Sequence, residues 1–456
     1  MSQPDPALTR DEVLKRAESA GLRLVRFLYC DNDGLIRGKA TGASRLAERL
    51  ESGIGLTVAM QAFSMLDRLA HVEGMGSVGE IRLVADPSTF VVAPYAPATG
   101  VVLADMMTLE GQPYLADGRA FLKRMIEQAG ALGLEIMAAF EPEWSLARRE
   151  GDTYVPIDKS TCFSSSGMQD VAEVIDEVVA SLEAQGMPVE QYYPELGWGQ
   201  QELSIRRASA LRAADNHLLY RETVRAVASR HGLHASFAPK PWPDQAGNGC
   251  HLHFSAWSLG QTVNRFHDKA SPGGLSDLAR HFMAGVLERL PALAALTCAS
   301  VNSYRRLRPG TWASAYRAWG PDNREAALRV PSTLKGQEAE STNVELKASD
   351  SSANPYLSLG GLIAAGLDGL ERRLELPPPV LVNPGDLSEE DRLTVGAVRL
   401  PESLREAIDN LKGDGVLMRA LGERLATSYL AVKESDIEAF ANEDESFEFL
   451  QHFAAY

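Results

Sequence analysis

Glu141-Pro142-Glu143 is the first of several places where this chain sets metal-ligating side chains in strand-like sequence. Residues i and i+2 of an extended strand project from one face, so both carboxylates turn to the same side. Further along come Glu195 and Glu202, then His251-Leu252-His253, then Glu345-Leu346-Lys347, each set in apolar or glycine-rich sequence and not in a charged run. One such pair alone is ordinarily an exposed strand face. Their joint occurrence points to a polynuclear metal site.

At 456 residues, 45% hydrophobic and 23% charged, the chain has material for two domains or one large one and fits no disordered or fibrous class. Its net charge of -16 and pI near 5.1 argue against a nucleic-acid partner, because an acidic surface repels phosphate backbones. Cys30, Cys162, Cys250 and Cys298 lack the spacing of a zinc ribbon or a disulfide framework. Residues 1–10 are polar with two prolines, and no segment has the length and apolarity of a membrane span. The expectation is a cytoplasmic protein with no membrane partner.

Residues 11–21 read as a short amphipathic helix, 22–30 as a strand, and Asp31-Asn32-Asp33-Gly34 as a turn. Strands are expected over 35–40 and 81–92, with a glycine-rich loop at 74–79 between them. The pattern shifts near residues 113–117: Phe121, Leu122, Met125, Ile126 and Ala129 recur at helical spacing, which predicts the start of a second domain. Val171, Val174, Ile175, Val178, Val179 and Leu182 make another apolar stripe, and residues 218–227 a third. Ligand-bearing strands between these helices predict a large sheet backed by helices, with more helices in the C-terminal third. Pro377-Pro378-Pro379 reads as a rigid connector.

In their order these segments resemble the glutamine synthetase family over nearly the whole chain. Phe140-Glu141-Pro142-Glu143 is similar to the family's first metal motif, and residues 195–202, from Glu195 through Gly199-Gln200-Gln201-Glu202, to its Glu-to-Gly-Gln-x-Glu motif. Pro239-Lys240-Pro241 with Gly247-Asn248-Gly249-Cys250-His251-Leu252-His253-Phe254-Ser255 resembles its Lys-Pro and Gly-x-Gly-x-His-x-His segment. Asn302-Ser303-Tyr304-Arg305-Arg306-Leu307 resembles the glutamate-binding stretch, Asn323-Arg324 and Arg329-Val330-Pro331 the phosphate-binding arginines, and Asn354-Pro355-Tyr356-Leu357 completes the series.

The resemblance implies an α+β fold: a small N-terminal β-grasp domain over 1–108 and a catalytic domain over 109–456, whose curved antiparallel sheet forms a funnel backed by helices. It implies two or more Mg2+ or Mn2+ ions per site, with Glu143, Glu195 and Glu202 on one and Glu141, His251 and Glu345 on the other. His253, Ser255, Arg324 and Arg329 would meet ATP, while Gly247, Arg306 and Lys347 would meet glutamate. Arg306, Arg324 and His251 would serve catalysis. The implied reaction is ATP-dependent ligation through γ-glutamyl phosphate. The implied assembly is a homododecamer of two hexameric rings with sites at subunit interfaces.

Departures from the family bear on the nitrogen donor. Ammonia-using members carry a glutamate shortly after Arg-Leu-x-Pro-Gly; here the segment reads Arg306-Leu307-Arg308-Pro309-Gly310-Thr311-Trp312. Exchange of a carboxylate for an indole removes the anionic cage an ammonium ion needs and offers an apolar wall and a π-face. Trp312 thus favours an organic amine, a small alkylamine or an arylamine, giving a γ-glutamylamide. An ammonia-using glutamine synthetase and a catalytically silent structural or regulatory member are the alternatives. Lys347 stands where the family often has arginine, which keeps the charge but loses the planar fork. No clear counterpart exists for the acid that reaches the neighbouring subunit's site; Asp67, Glu73 and Glu80 are the stand-ins.

Overall fold

The computed structural model describes residues 8–456; most of the polar 1–10 start lies outside the described residues. Thr9 opens the first helix, Arg10–Ser19, with a capping box: its hydroxyl accepts from Glu12 N, and the Glu12 carboxylate accepts from Thr9 N at 2.7 Å. Behind this helix lies a six-stranded sheet. Leu24–Cys30 runs parallel to Thr99–Met107 and antiparallel to Ile36–Gly42, and Glu80–Ala85 joins Thr99–Met107 to Ile54–Thr57. Val25, Phe27, Leu83, Val102 and Met106 fill its core.

The strand expected over 81–92 is broken. Glu80–Ala85 ends where Asp86 caps the 3-10 turn Pro87–Thr89, and only Val91–Val92 resumes pairing. Pro87 has no N–H to give to a ladder, so strand continuation is disfavoured there.

Asp117 caps the helix Gly118–Ala131, and beyond it an eleven-stranded sheet begins with the 17-residue strand Leu134–Glu150. Eight strands form its main path, antiparallel except for Tyr316–Pro321 beside Ala326–Val330. Along the middle of this strand, over residues 138–144, the burial alternates. Phe140, Pro142 and Trp144 point into the core while Ala139, Glu141 and Glu143 face the less buried side. Trp144 is fully buried and donates its indole N–H to Tyr220 on the helix Ala210–Arg230.

Two long helices, Asp277–Thr297 and Pro355–Arg372, support the sheet from behind at backbone contact. A Cβ at Gly285 would lie 2.2 Å from Ala365 O, and one at Gly369 2.3 Å from His281 O, so glycine sets their separation. The Pro377 segment links this pair to the sheet edge: Pro377 O accepts from Trp319 Nε1, and Val380 N donates to Trp319 O. Among the described residues no helix is long and apolar enough to cross a membrane.

Candidate active site

Strand register assembles the site. His251 pairs with Glu141, Glu202 with Glu143, and His253 with Glu345 across four strands, Gln200–Ile205, Leu134–Glu150, Cys250–Ser258 and Val344–Leu346. Glu141 with Glu143 and His251 with His253 are i, i+2 pairs, and direct pairing sets Glu202 opposite Glu143 and Glu345 opposite His253, so one register places all of them on one face.

At one end, Glu141, His253 and Glu345 offer ligand atoms that lie within 4.8 Å of one another. His251 sits in the same cluster: its Nδ1 is 3.2 Å from Glu345 Oε1 and 3.6 Å from Glu141 Oε2, and its Nε2 is 3.7 Å from Glu143 Oε1. Both imidazoles therefore reach the Glu141–Glu345 pair, including His253, which the sequence reading set aside for nucleotide. Asn343 Oδ1, 2.9 Å from His253 Nδ1, fixes that ring so that Nε2 faces Glu141 at 3.3 Å.

At the other end stand Glu143, Glu195 and Glu202. Glu143 accepts from Gln200 Nε2 at 2.9 Å and from Gly249 N at 2.8 Å. Tyr193 donates its hydroxyl to Glu202 at 2.5 Å, and Leu196 N donates to Glu195 at 2.9 Å. Sequence reasoning missed Tyr193 and Gln200 as supporting groups. Their signal lay in the same strand pairing, since Tyr193 is the register partner of Glu202.

The electrostatics divide the cluster. Burial and the nearby Glu141 and Glu143 carboxylates push Glu202 well above the ordinary carboxylate range, and burial with Glu143 raises Glu195. Burial also opposes charge on Glu141, yet hydrogen bonds from His251 and His253 outweigh it and hold this carboxyl well below its usual range. Glu345 is likewise penalised by burial but is held down to about 2 by Lys347, His253 and His251. Burial and Lys347 lower His251, whereas the Glu141 hydrogen bond overcomes burial and raises His253 to about 9. Five hard carboxylates, two imidazoles and mutual repulsion among the acids make a donor set suited to Mg2+ or Mn2+.

Cationic groups line the flank. Arg306 is buried, donates to Ser349 O at 3.2 Å and lies 3.4 Å from His251 Nε2; Lys347 Nζ is 3.4 Å from the same nitrogen and 3.5 Å from Glu345. Arg329 donates to Glu345 at 2.9 Å. Gly247 and Gly249 let the backbone approach: a Cβ at Gly247 would meet Pro239 O at 2.5 Å, and one at Gly249 would meet Arg306 Nη2 at 2.6 Å. Arg324 is exposed, and Ser255 is buried with its hydroxyl accepting from Trp257 Nε1 at 2.9 Å. Trp312 is 64% exposed, on a loop between the helix Ser303–Arg306 and the strand Tyr316–Pro321. Its backbone N–H donates to Glu325 Oε1 at 2.9 Å, a carboxylate that sequence reasoning did not single out. Asp67 pairs with Arg37 and Glu80 with Arg82, each at 2.8 Å.

A carboxylate–imidazole centre flanked by arginines and lysine, on a curved sheet, is the class of site that handles divalent cations and phosphoryl groups. Comparison with known proteins agrees. The glutamine synthetase N-terminal domain matches residues 9–114, and the glutamine synthetase catalytic domain matches residues 115–452. The chain is 37% identical over 417 residues to a γ-glutamylpolyamine synthetase, GlnA3, of Streptomyces coelicolor, covering 91% of this chain and 89% of that protein. It is 33% identical over 433 residues to a glutamine synthetase of Pyrococcus abyssi, covering 94% and 93%. Among solved structures, a novel glutamine synthase homolog superposes with a TM-score of 0.86 at 32% identity, over 95% of this chain and 99% of that one. A GmaS/ADP complex gives 0.84 at 27% identity, over 96% and 98%. The chain belongs to the glutamine synthetase family and is thereby an ATP-dependent ligase. The family uses ATP, divalent cations, glutamate and an amine or ammonia.

Proposed function

We propose that this ligase joins the γ-carboxylate of glutamate to an organic amine, a small alkylamine or an arylamine, and releases ADP and phosphate. The observation that carries this is Trp312: an indole stands, largely exposed, at the position where the family resemblance implies a carboxylate in ammonia-using members. Support comes from the relative named a γ-glutamylpolyamine synthetase, which also favours polyamines as a second reading.

In this reading Glu143, Glu195 and Glu202 hold one Mg2+ or Mn2+ and Glu141, His251 and Glu345 the other, with His253 beside them. Bound cations supply charge neutralisation for the carboxylates and for phosphoryl oxygens. Arg306 clamps the α-carboxylate of glutamate through its guanidinium fork, with Gly247 and Gly249 leaving space beside it. Lys347 adds positive charge next to His251 and Glu345. Arg324, exposed, and Arg329, anchored on Glu345, meet the ATP phosphates. Glutamate's γ-carboxylate attacks the terminal phosphorus, ADP leaves, and the amine then displaces phosphate from the acyl carbon. Protein groups orient and neutralise, which is what phosphoryl transfer chiefly requires.

The test is phosphate release with glutamate, ATP and Mg2+ or Mn2+ against a panel of amines. The reading predicts that at least one organic amine exceeds ammonia in kcat/KM by tenfold or more, that is by about 1.4 kcal/mol. Ammonia outrunning every amine would overturn it in favour of a glutamine synthetase. No turnover with any nitrogen donor would favour a silent family member.

A further inference from the structure

We propose that Glu325 is the carboxylate that receives the incoming amine as an ammonium ion and takes a proton from it before attack. The preferred substrate class is then an aliphatic amine, cationic at neutral pH, over a neutral arylamine. This rests on the organic-amine reading above and narrows it.

The loop that carries Trp312 is conformationally costly. Gly310, Trp312 and Ser314 sit at φ of 69°, 61° and 61°, a left-handed region that is unfavourable for tryptophan and serine and persists only where surroundings hold it. Glu325 is the holding group: Oε1 accepts from Trp312 N at 2.9 Å, while Ser314 Oγ donates to the neighbouring Arg324 O at 3.0 Å. A negative charge is thereby built into the back of the very loop from which the indole projects.

Holding the loop uses only part of the carboxylate. Oε2 of Glu325 is buried and has no hydrogen-bond partner among the described residues. A buried acceptor left so is unfavourable unless a donor arrives, and an ammonium N–H is the donor this reaction brings. Burial also pushes the Glu325 carboxyl upward, against the backbone N–H of Trp312 and the charge of Lys347, which suits a proton acceptor. Lys347 N donates to Ala327 O at 2.9 Å, and Lys347 Nζ reaches Glu345 and His251, so the strand Ala326–Val330 that Glu325 leads into runs beside the metal end of the site.

The step balances without another reactant. R–NH3+ passes one proton to Glu325 and regains its lone pair; nitrogen bonds the acyl carbon; the bond from that carbon to the phosphate oxygen breaks with its electron pair on phosphate. The second nitrogen proton leaves with the phosphate.

Glu325→Gln removes the charge but keeps an oxygen to accept from Trp312 N–H. We would measure kcat/KM for a short alkylamine, cationic at neutral pH, against aniline or hydroxylamine, which are neutral there. The variant should lose about 100-fold with the alkylamine and less than about threefold with the neutral donor. Glu325→Asp should regain part of the alkylamine rate, and it decides the matter if the glutamine variant does not fold. Equal losses for both donors would show that Glu325 only supports the loop, and no loss with either would show that it does neither; both outcomes overturn the proposal. If the wild type uses ammonia alone, the organic-amine reading fails separately, and ammonium against hydroxylamine still judges Glu325.

Discussion

A Cβ on residue 249 would lie 2.6 Å from Arg306 Nη2, 2.7 Å from His251 Nε2 and 3.1 Å from Glu143 Oε1. Gly249 also donates its N–H to Glu143, so a single missing side chain lets the backbone support one carboxylate and pass beneath the arginine. Gly249→Ala should lower kcat/KM at least 100-fold with little change in melting temperature, because the methyl displaces working groups and opens no cavity. A large fall in melting temperature with activity retained would refute this. At the amine side, Trp312→Glu should move the amine-to-ammonia ratio of kcat/KM toward ammonia by about tenfold. An unchanged ratio would show that the indole does not set selectivity. Residues of this kind differ in how far sequence exposes them. Glu141, Glu143, His251 and Glu345 were legible because their types and spacing have few other uses together. Glu325 was not, because a lone glutamate in a loop reads as solvated surface until coordinates show Trp312 N bonded to it.

Strands bring the carboxylates together, and here the legibility was partial. The i, i+2 pattern of residues 141–143, 251–253 and 345–347 told which side chains share a face, since pleating has a period of two. It could not tell which strand lies beside which, because register depends on long-range pairing and twist. Hence Tyr193, opposite Glu202, and Gln200, beside Glu143, emerged only from the fold. Tyr193→Phe removes the donor that orients Glu202 and should weaken divalent-cation binding about tenfold, read by metal titration of purified protein. Unaltered affinity would mean that Tyr193 does not orient this carboxylate. Amphipathic helices were read nearly in full, as Ala172–Ala184 shows, since their apolar stripe is a local property. The strand over 81–92 failed where Asp86-Pro87 turns the chain.

Over the whole molecule, the N-terminal sheet is locked to the catalytic domain by buried charge. Arg119, 2% exposed, binds Asp86 and Asp105 on one side and Asp215 on the other. Lys433 on the helix Glu423–Phe440 is buried against Asp33, whose attraction outweighs desolvation and raises the lysine above its ordinary range. Lys433→Met would strand Asp33 and Asp436 without a counter-charge and should cost about 3–5 kcal/mol in denaturant unfolding. A cost under about 1 kcal/mol would mean that the pair does not tie the domains. No local pattern revealed these ties, one of which joins residues 400 positions apart. They matter for function because they fix the sheet on which glutamate is to be activated. The most direct test of that activation uses glutamate carrying heavy oxygen in its γ-carboxylate, with ATP, Mg2+ and an accepted amine, and follows the label by mass spectrometry. If γ-glutamyl phosphate forms, each phosphate released carries one labelled oxygen; phosphate free of label, with amide still produced, would contradict the account.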